Sequence, residues 1–324
     1  MTTGARIIGT GSYLPERVVS NQELEALVET SDQWIQERTG IRERRVVDDT
    51  QSCGDLGQIA AQRAIDAAGV DPKTIDLIVV ATCTPDRIFP STASGLQRTL
   101  GTQPGGVAFD VAAACSGFIY ALSVADRFLR TGGARRALVV GTETMTRILN
   151  WQDRGTCVLF GDGAGAVLLD VSETPGILST HLHSDGRYEP LLYVPWGPGR
   201  GYAALGEESG YIHMRGNEVF KVAVNTLTRI VEESLAAAGI DKHEVDWLVP
   251  HQANIRIIQA TAKKLELPMD RVVVTVGEHG NTSAASIPIA LDTAVRDGRI
   301  QRDELLLFEA FGGGFTWGSA LVRY

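Results

Sequence analysis

Residues 67–79, AAGVDPKTIDLIV, are nearly repeated by residues 237–249, AAGIDKHEVDWLV. The two stretches align without a gap at an offset of 170 residues. Each predicts a helix that ends at Gly69 or Gly239, then a short turn and a strand, because glycine stops a helix and a short apolar run suits a strand. The repeat therefore indicates that one helix–turn–strand unit occurs twice in the chain.

Three weaker pairs of segments follow in the same order. They are VAFDVAAAC (107–115) with VVTVGEHGN (273–281), ALVVGTE (137–143) with LLLFEAF (305–311), and GAGAVLL (163–169) with WGSALVR (317–323). Matches in a conserved order predict an internal duplication, with halves at 1–175 and 176–324. Strands alternate with helices in each half, which predicts an α/β fold with mixed, mostly parallel sheets covered by helices.

The duplication also predicts where a site forms. Cys115 and Asn281 take matching places in their repeats, each at the opening of a helix. His251 ends the strand that begins near Val245. If the halves pack about a pseudo-twofold axis, both helix starts meet in one pocket. We therefore expect Cys115, His251 and Asn281 to share a site.

A cysteine at the first turn of a helix can be interpreted as a nucleophile. Unpaired N–H groups and the helix dipole favour negative charge there, which lowers a thiol pKa and makes a nucleophile. The alternatives are structural: a small buried thiol at Cys115, a strand-end residue at His251, a helix cap at Asn281 and a flexible turn in the glycine run 312–314. The joint pattern, in order along duplicated halves, favours catalysis.

The composition excludes several classes of protein. The chain has 324 residues, of which 44% are hydrophobic and 21% charged. It contains no apolar run of the ~20 residues that a membrane helix needs, and its first residues lack a signal-peptide pattern. The net charge of −9 argues against nucleic-acid binding. Four scattered cysteines without a C-x-x-C pair predict a reducing compartment, the cytoplasm.

Three further segments bear on function. FGDGAGAVLLD (160–170) is glycine-rich, but a strand-like run follows it, so close strand packing is favoured over dinucleotide binding. HLHSDG (181–186) carries two histidines without a further ligand cluster, so no metal site is predicted. Residues 184–213 are rich in glycine, proline and aromatics, which predicts a functional loop near the site.

Six motifs across essentially the whole chain resemble those of one enzyme family. They are SDQWIQERTGIRERR (31–45), DVAAACSGFIYAL (110–122), RGNEVFKVAV (215–224), VPHQANIRII (249–258), GEHGNTSAASIPIAL (277–291) and FEAFGGGFTWGSALVRY (308–324). The family is β-ketoacyl-acyl-carrier-protein synthase III, the initiating condensing enzyme of bacterial fatty acid synthesis. The resemblance implies the thiolase fold, with two duplicated halves in five αβαβα layers, and a homodimer. Cys-His-Asn, with no second cysteine near the C-terminus, sets this type apart from elongating synthases and thiolases.

The implied reaction is a decarboxylative Claisen condensation. An acyl-CoA primer, expected to be acetyl-CoA, acylates Cys115, and malonyl-acyl carrier protein then supplies the enolate. The resemblance assigns the hydrogen bonds to the enolate oxygen to His251 and Asn281. It assigns an oxyanion hole to the N–H groups of Cys115 and Gly313. The products are 3-oxoacyl-acyl carrier protein, CoA and CO2, and no cofactor or metal is expected because the CoA thioester is a substrate.

The resemblance also implies three sets of binding residues. The set expected to bind CoA comprises Trp34, Arg38, Arg154, Met214, Gly216, Phe220 and Asn254. The acyl pocket is expected at Phe89 and Phe311, with Phe89 reaching across the dimer. A basic patch for the acidic carrier protein is expected at Lys221, Arg256, Lys263 and Lys264.

Three alternative functions remain open at the level of sequence. A relative that loads a different starter for a secondary metabolite would share all these motifs. A cysteine hydrolase of acyl thioesters would share the thiol and the histidine, but it needs neither Asn281 nor a basic patch. A non-catalytic assembly protein would need no intact Cys-His-Asn set.

Overall fold

The computed structural model of the chain describes residues 4–206 and 210–324. Residues 1–3 of the expected first half and residues 207–209 of the expected functional loop lie outside this description. Within the described residues, no helix is both long enough and apolar enough to cross a membrane.

The strands fall into two large sheets and two small pairs. In chain order they are β1 (Gly4–Tyr13), β2 (Arg17–Ser20), β3 (Glu43–Val46), β4 (Leu77–Ala81), β5 (Val107–Val111), β6 (Arg136–Thr144), β7 (Asp162–Ser172), β8 (Ile177–Ser184), β9 (Leu192–Tyr193), β10 (His213–Met214), β11 (Trp247–Pro250), β12 (Leu305–Gly312) and β13 (Thr316–Arg323).

The α-helices connect and cover these strands. In chain order they are α1 (Asn21–Glu25), α2 (Asp32–Thr39), α3 (Cys53–Ala68), α4 (Thr92–Leu100), α5 (Gly117–Arg130), α6 (Arg154–Cys157), α7 (Gly216–Ala238), α8 (Ile255–Leu265), α9 (Val276–His279) and α10 (Ser286–Arg296).

The two large sheets repeat one strand order. The first runs β1-β7-β6-β4-β5 and the second runs β8-β13-β12-β11. In both, the opening strand and the closing strand lie antiparallel to their neighbours, whereas β4 is parallel to β5 and β6, and β11 is parallel to β12. The sheets are therefore mixed as expected. Parallel pairs are the minority, because each half begins and ends with an antiparallel strand.

Helices and sheets alternate in five layers. The buried side chains of α5 and α10 pack between the two sheets in one hydrophobic cluster that includes Phe118 and Phe308. Helices α3 and α4 cover the outer face of the first sheet, and α7 and α8 cover the outer face of the second. The layers place the N-terminal ends of α5 and α10 side by side at the centre of the molecule.

The repeat that predicts the fold is present in the structure. Helices α3 and α7 end at C-caps Gly69 and Gly239, which have left-handed backbone with φ of 65° in both cases. A 3-10 turn follows each cap, and then strand β4 or β11. The match of 273–281 with 107–115 predicts a strand in both segments, and for 273–281 this is wrong: an isolated bridge at Val272 precedes the stretch, which then forms the short helix α9 and a second isolated bridge at Asn281. The second sheet therefore has no counterpart of β5 in the described residues.

The glycine-rich stretch 160–170 forms most of β7, as expected. A Cβ added to Gly165 would lie 2.6 Å from the backbone nitrogen of Ile289 on α10. Real Cβ atoms do not approach backbone so closely, so this glycine lets α10 rest directly on the strand.

Candidate active site

A cavity of about 760 Å³ lies where the two halves meet. Thirteen of the residues that the sequence singles out line it: Trp34, Arg38, Cys115, Arg154, Met214, Gly216, Phe220, Lys221, His251, Asn254, Arg256, Asn281 and Phe311. The lining excludes four others, namely Gly313, Phe89, Lys263 and Lys264. The three candidate catalytic side chains thus share one pocket with the candidate CoA residues.

Cys115 lies in a 3-10 turn, Ala114–Ser116, that joins directly onto α5. Ala114 has a φ of 46°, in the left-handed region that non-glycine residues rarely adopt. Such strain is kept where the surrounding structure fixes it and is frequent at functional sites. Here the Thr316 hydroxyl donates to the carbonyl of Ala113 at 2.9 Å, which ties the turn to the opposite half.

A matching turn precedes α10. Residues Ser283–Ala285 form a 3-10 turn, and Ser283 has a φ of 51°. The position equivalent to Cys115 is therefore Ala284, and the predicted equivalence of Cys115 with Asn281 is wrong by three residues. The expected meeting of the two turns does occur, because a Cβ on Gly117 would lie 3.3 Å from the Cβ of Ala284.

His251 follows β11 and is held from two sides. Its backbone N–H donates to the carbonyl of Glu309 at 2.8 Å, and its Nδ1 lies 2.6 Å from the hydroxyl of Ser286. That hydroxyl also accepts from the N–H of Gln252 at 3.3 Å; in the tautomer in which it donates to Nδ1, the imidazole proton is on Nε2, which faces the cavity as a donor. Burial lowers the pKa of His251 to about 3, so the ring is neutral at pH 7.

The amide of Asn281 is oriented by its own loop. Its Oδ1 accepts from the N–H of Ser283 at 2.9 Å, so the NH2 group is the part left for a substrate. Its backbone N–H donates to Leu159, and its carbonyl accepts from Gly161. Asn281 and His251 therefore supply two neutral donors to the cavity that Cys115 lines.

The environment of the thiol differs from the sequence expectation. Burial raises the pKa of Cys115 to about 12, and a nearby Glu143 carboxylate also raises it, although the Ser283 hydroxyl acts in the opposite direction. Loss of hydration is the largest of the effects on this thiol, and no cation is among the groups that shift its pKa. The prediction of a lowered pKa is wrong, and acylation therefore needs a group that accepts the thiol proton.

The backbone at Gly312 approaches the nucleophile more closely than the predicted Gly313. A Cβ on Gly312 would lie 2.6 Å from the nitrogen of Cys115, whereas a Cβ on Gly313 would first meet the carbonyl of Leu192 at 3.1 Å. A side chain at 312 would therefore displace the N–H that is expected to stabilise an oxyanion.

We expect Gly312→Ala to lower the rate of acyl transfer by about 10²–10³-fold, the usual effect of losing one oxyanion donor. Burst kinetics of acyl-enzyme formation would measure it. Gly95→Ala is the matched control, because a Cβ at Gly95 meets nothing within 4 Å. Equal acylation rates in the two variants would contradict the close approach described here.

The mouth of the cavity is aromatic and cationic. The guanidinium carbons of Arg38 and Arg154 each lie 4.8 Å from the ring centroid of Trp34, and that of Arg256 lies 5.0 Å from the ring of Phe220. Cations stacked on rings hold a flat surface that suits a nucleobase and its phosphates. This positive mouth belongs to a chain of net charge −9.

Known proteins match this chain over nearly its whole length. Models of 3-oxoacyl-acyl-carrier-protein synthase III match residues 109–186, and models of its C-terminal part match residues 235–324. The chain is 71% identical to a β-ketoacyl-acyl-carrier-protein synthase III of Alkalilimnicola ehrlichii, over 99% of both chains. It is 64% identical to one of Thioalkalivibrio sulfidiphilus, over 99% of this chain and 100% of that one. The chain belongs to the β-ketoacyl-acyl-carrier-protein synthase III family.

A solved structure of a synthase III from Aquifex aeolicus shows the same architecture. It is 47% identical, with a TM-score of 0.92, over 99% of this chain and 100% of that one. The five layers described above are therefore the thiolase fold of synthase III. The protein is an enzyme, an acyltransferase of the condensing type.

Some of the residues that the synthase III resemblance implies do not line the cavity. Phe89 is 82% exposed, and Lys263 and Lys264 lie at the end of α8, where Lys264 pairs with Glu232 at 2.9 Å. Asn254 lines the cavity, but its amide donates to the carbonyl of Arg38 at 2.9 Å. Asn254 therefore positions the mouth of the cavity as well as lining it.

Sequence reasoning missed two groups of residues in this synthase III site. The first is the apolar wall, for which short hydrophobic runs give no chemical signal: Val158, Leu159, Phe160, Leu192, Ala223, Leu227 and Ile257. The second comprises Ser283 and Ser286, which orient Asn281 and His251. Both serines stand in the quoted motif 277–291, but only the folded structure shows which way their hydroxyls point.

Proposed function

We propose that this protein catalyses the first condensation of fatty acid synthesis, between an acyl-CoA primer and malonyl-acyl carrier protein. The products are 3-oxoacyl-acyl carrier protein, CoA and CO2. The observation that carries the proposal is the meeting of Cys115, His251 and Asn281 in one cavity with a cationic, aromatic mouth. The proposed half 1–175 supplies the nucleophile, and the proposed half 176–324 supplies the two donors.

In the first step, CoA binds at the mouth and its acyl group reaches Cys115. Trp34 and Arg154 hold the adenine ring, Arg38 contacts the phosphates or ribose, and Met214, Gly216, Phe220 and Asn254 line the pantetheine path. The thiol sulfur attacks the thioester carbonyl, the C–S bond to CoA breaks, and the acyl group stays on Cys115. The N–H groups of Cys115 and the glycine run 312–314 stabilise the tetrahedral oxyanion.

In the second step, malonyl-acyl carrier protein occupies the same path. Loss of CO2 leaves an enolate, whose oxygen accepts hydrogen bonds from Nε2 of His251 and the amide of Asn281. Two neutral donors in a dry pocket stabilise this charge more than they stabilise the neutral thioester, which lowers the barrier. The enolate carbon attacks the acyl carbonyl, and the Cys115 sulfur leaves as the thiolate.

We propose acetyl-CoA as the primer and a homodimer as the working form. Ile88 and Phe89 are 63% and 82% exposed, which is unusual for large apolar side chains. A second copy of the chain covers them, and Phe89 then bounds the acyl pocket together with Phe311 of its partner. The four free thiols suit a reducing compartment, and we place the enzyme in the cytoplasm.

The test uses purified protein and a panel of acyl-CoAs from acetyl to dodecanoyl, with branched forms. We expect a mass gain that maps to Cys115 and is discharged by malonyl-acyl carrier protein with release of CO2. The acyl group that loads fastest names the primer, and a primer other than acetyl would favour a starter enzyme of a secondary pathway. An adduct that water discharges equally fast would favour a hydrolase and overturn the proposal.

The basic residues at Lys221, Arg256, Lys263 and Lys264 form the proposed docking patch for the acidic carrier protein. We expect the double variant Lys263→Glu and Lys264→Glu to raise the KM for malonyl-acyl carrier protein about 10-fold at low salt, because it reverses rim charges that steer association. Acylation by acetyl-CoA should stay unchanged.

The matched control for the patch is Lys73→Glu with Arg135→Glu, which makes the same change in charge at exposed positions of the first half. This control should leave the KM for the carrier protein within about twofold. A patch variant that behaves like the control would contradict docking at this surface.

A further inference from the structure

A buried carboxylate lies behind the nucleophile, and the steps above do not use it. Glu143, near the end of β6, is fully buried. It accepts hydrogen bonds from the hydroxyls of Thr82 and Thr84 at 3.2 and 2.7 Å, and from the N–H of Cys83 at 3.1 Å. Burying a carboxylate without hydrogen-bond donors would cost several kcal/mol, and the donors around Glu143 offset that cost.

Ser283 connects this carboxylate to the active site. Its hydroxyl donates to Oε1 of Glu143 at 3.1 Å, and the same hydroxyl interacts with the thiol of Cys115. Its backbone N–H fixes Asn281, as described above. The chain of contacts Cys115–Ser283–Glu143 therefore begins and ends in the first half and passes through Ser283 of the second half.

The groups that face Glu143 do not compete with it for protons near neutral pH. They are the thiols of Cys53 from α3, Cys83 after β4 and Cys115 before α5. Burial raises the pKa of Cys53 to about 12, so that thiol stays protonated at pH 7; Cys83 is exposed, and the ordinary thiol pKa of about 8.5 leaves it mostly protonated too. Burial raises the pKa of Glu143 to about 7, against the effect of its donors. Glu143 is thus the member of this cluster that changes charge near pH 7.

We propose that Glu143, acting through the hydroxyl of Ser283, accepts the proton of the Cys115 thiol during acylation and returns it after condensation. The proposal rests on the function proposed above and deepens it. As the sulfur attacks the acyl-CoA, its proton moves to Oγ of Ser283 while the Ser283 proton moves to Oε1 of Glu143. CoA leaves as its thiolate and takes a proton from water.

The second step reverses the transfer. When the acyl group passes to the enolate, the thiolate of Cys115 takes a proton from Ser283, which recovers its own from Glu143. The cycle then consumes one proton from solvent, which is carried away on CoA, as the loss of CO2 from a carboxylate requires. His251 is poorly suited to accept the thiol proton, because burial lowers its pKa to about 3.

The test measures acyl-enzyme formation from acetyl-CoA against pH by rapid quench and intact mass. In the unchanged enzyme we expect the rate to rise through about pH 7 and then level, because only the ionised carboxylate accepts a proton. In Glu143→Gln we expect a rate about 10²-fold lower without that rise. Ser283→Ala should behave alike, and the double variant should be no slower than either single one.

Two comparisons separate a proton transfer from a structural role. Asp292→Asn is the matched control, because that carboxylate on α10 is also buried and accepts hydrogen bonds, from Thr10 and Arg296, but does not line the cavity. Its acylation profile should match the unchanged enzyme. Decarboxylation of malonyl-acyl carrier protein, which needs no thiol proton transfer, should stay within about threefold in Glu143→Gln.

Opposite results would overturn the proposal. The charge of Glu143 raises the pKa of Cys115, so if it acted only through its field, Glu143→Gln would form more thiolate and acylate faster. Equal losses of acylation and decarboxylation would indicate a structural role. Failure of the unchanged enzyme to become acylated at all would instead count against the proposed function.

Discussion

Replacing Cys115 by alanine is expected to lower condensation by at least about 10⁴-fold, since a reaction that passes through a covalent intermediate loses its route with the nucleophile. No acyl-CoA should add mass to this variant. Decarboxylation of malonyl-acyl carrier protein should persist, because the donors of His251 and Asn281 remain. Their backbone positions depend on Glu309, Leu159 and Gly161, not on the thiol.

Cys157→Ala is the matched control for this experiment. Cys157 is also a buried cysteine whose pKa burial raises, to about 11, but it packs in an apolar cluster with residues of both halves, such as Ile35 and Leu248, and does not line the cavity. It should acylate normally. Mass addition to Cys115→Ala, or normal condensation by it, would remove Cys115 from the reaction.

Replacing Asn281 by alanine should have the opposite effect to replacing Cys115: decarboxylation should be impaired and acylation largely kept. We expect decarboxylation to fall about 10²–10³-fold, because one of two donors to the enolate oxygen is lost from a water-poor pocket. Acylation of Cys115 should change far less, because that step makes its oxyanion at the backbone near Gly312. The release of labelled CO2 and the mass gain at Cys115 measure the two steps separately.

Asn281→Asp tests whether the effect comes from losing the amide donor and not from a change in the loop. The aspartate keeps the oxygen that accepts from the N–H of Ser283, so the loop should hold its shape, but it offers a negative charge where the enolate needs a donor. It should decarboxylate no better than the alanine variant. Asn225→Ala, at an exposed position of α7, is the control. Unchanged decarboxylation in Asn281→Asp would show that this amide does not contact the enolate.

A structural feature could be predicted from the sequence when it depends on residues that are close together along the chain or on the repeat as a whole. The helix ends at Gly69 and Gly239 follow from residues within one turn of the chain, and the structure confirms them. The pocket membership of Cys115, His251 and Asn281 follows from the duplication, which is a property of the whole chain. The predicted equivalence of Asn281 with Cys115 was wrong by three residues, because residues 273–281 differ too much from residues 107–115 to fix the alignment of the two halves.

The electrostatics could not be predicted in the same way. A thiol at a helix start has a lowered pKa only when water or a cation keeps the charged form stable. At Cys115 the second half of the molecule covers the thiol, and the groups of that half that meet it, such as Ser283 and Gly312, lie more than 150 residues away along the chain. The hydroxyls of Ser283 and Ser286 are likewise oriented by partners distant in sequence, so no local pattern could identify their roles.

The two facing turns at Ala114 and Ser283 carry an evolutionary consequence. Two identical halves related by a twofold axis would place the same side chain at both turns. The turns are already in contact, because a Cβ built on Gly117 would lie only 3.3 Å from the Cβ of Ala284, and this leaves little room for a second reactive group at 284. Joining the halves in one polypeptide releases them from that symmetry, so one turn can carry sulfur and the other a methyl group. A single chemical centre on a pseudo-symmetric scaffold is thus an outcome of gene fusion that an assembly of separate, identical subunits could not reach.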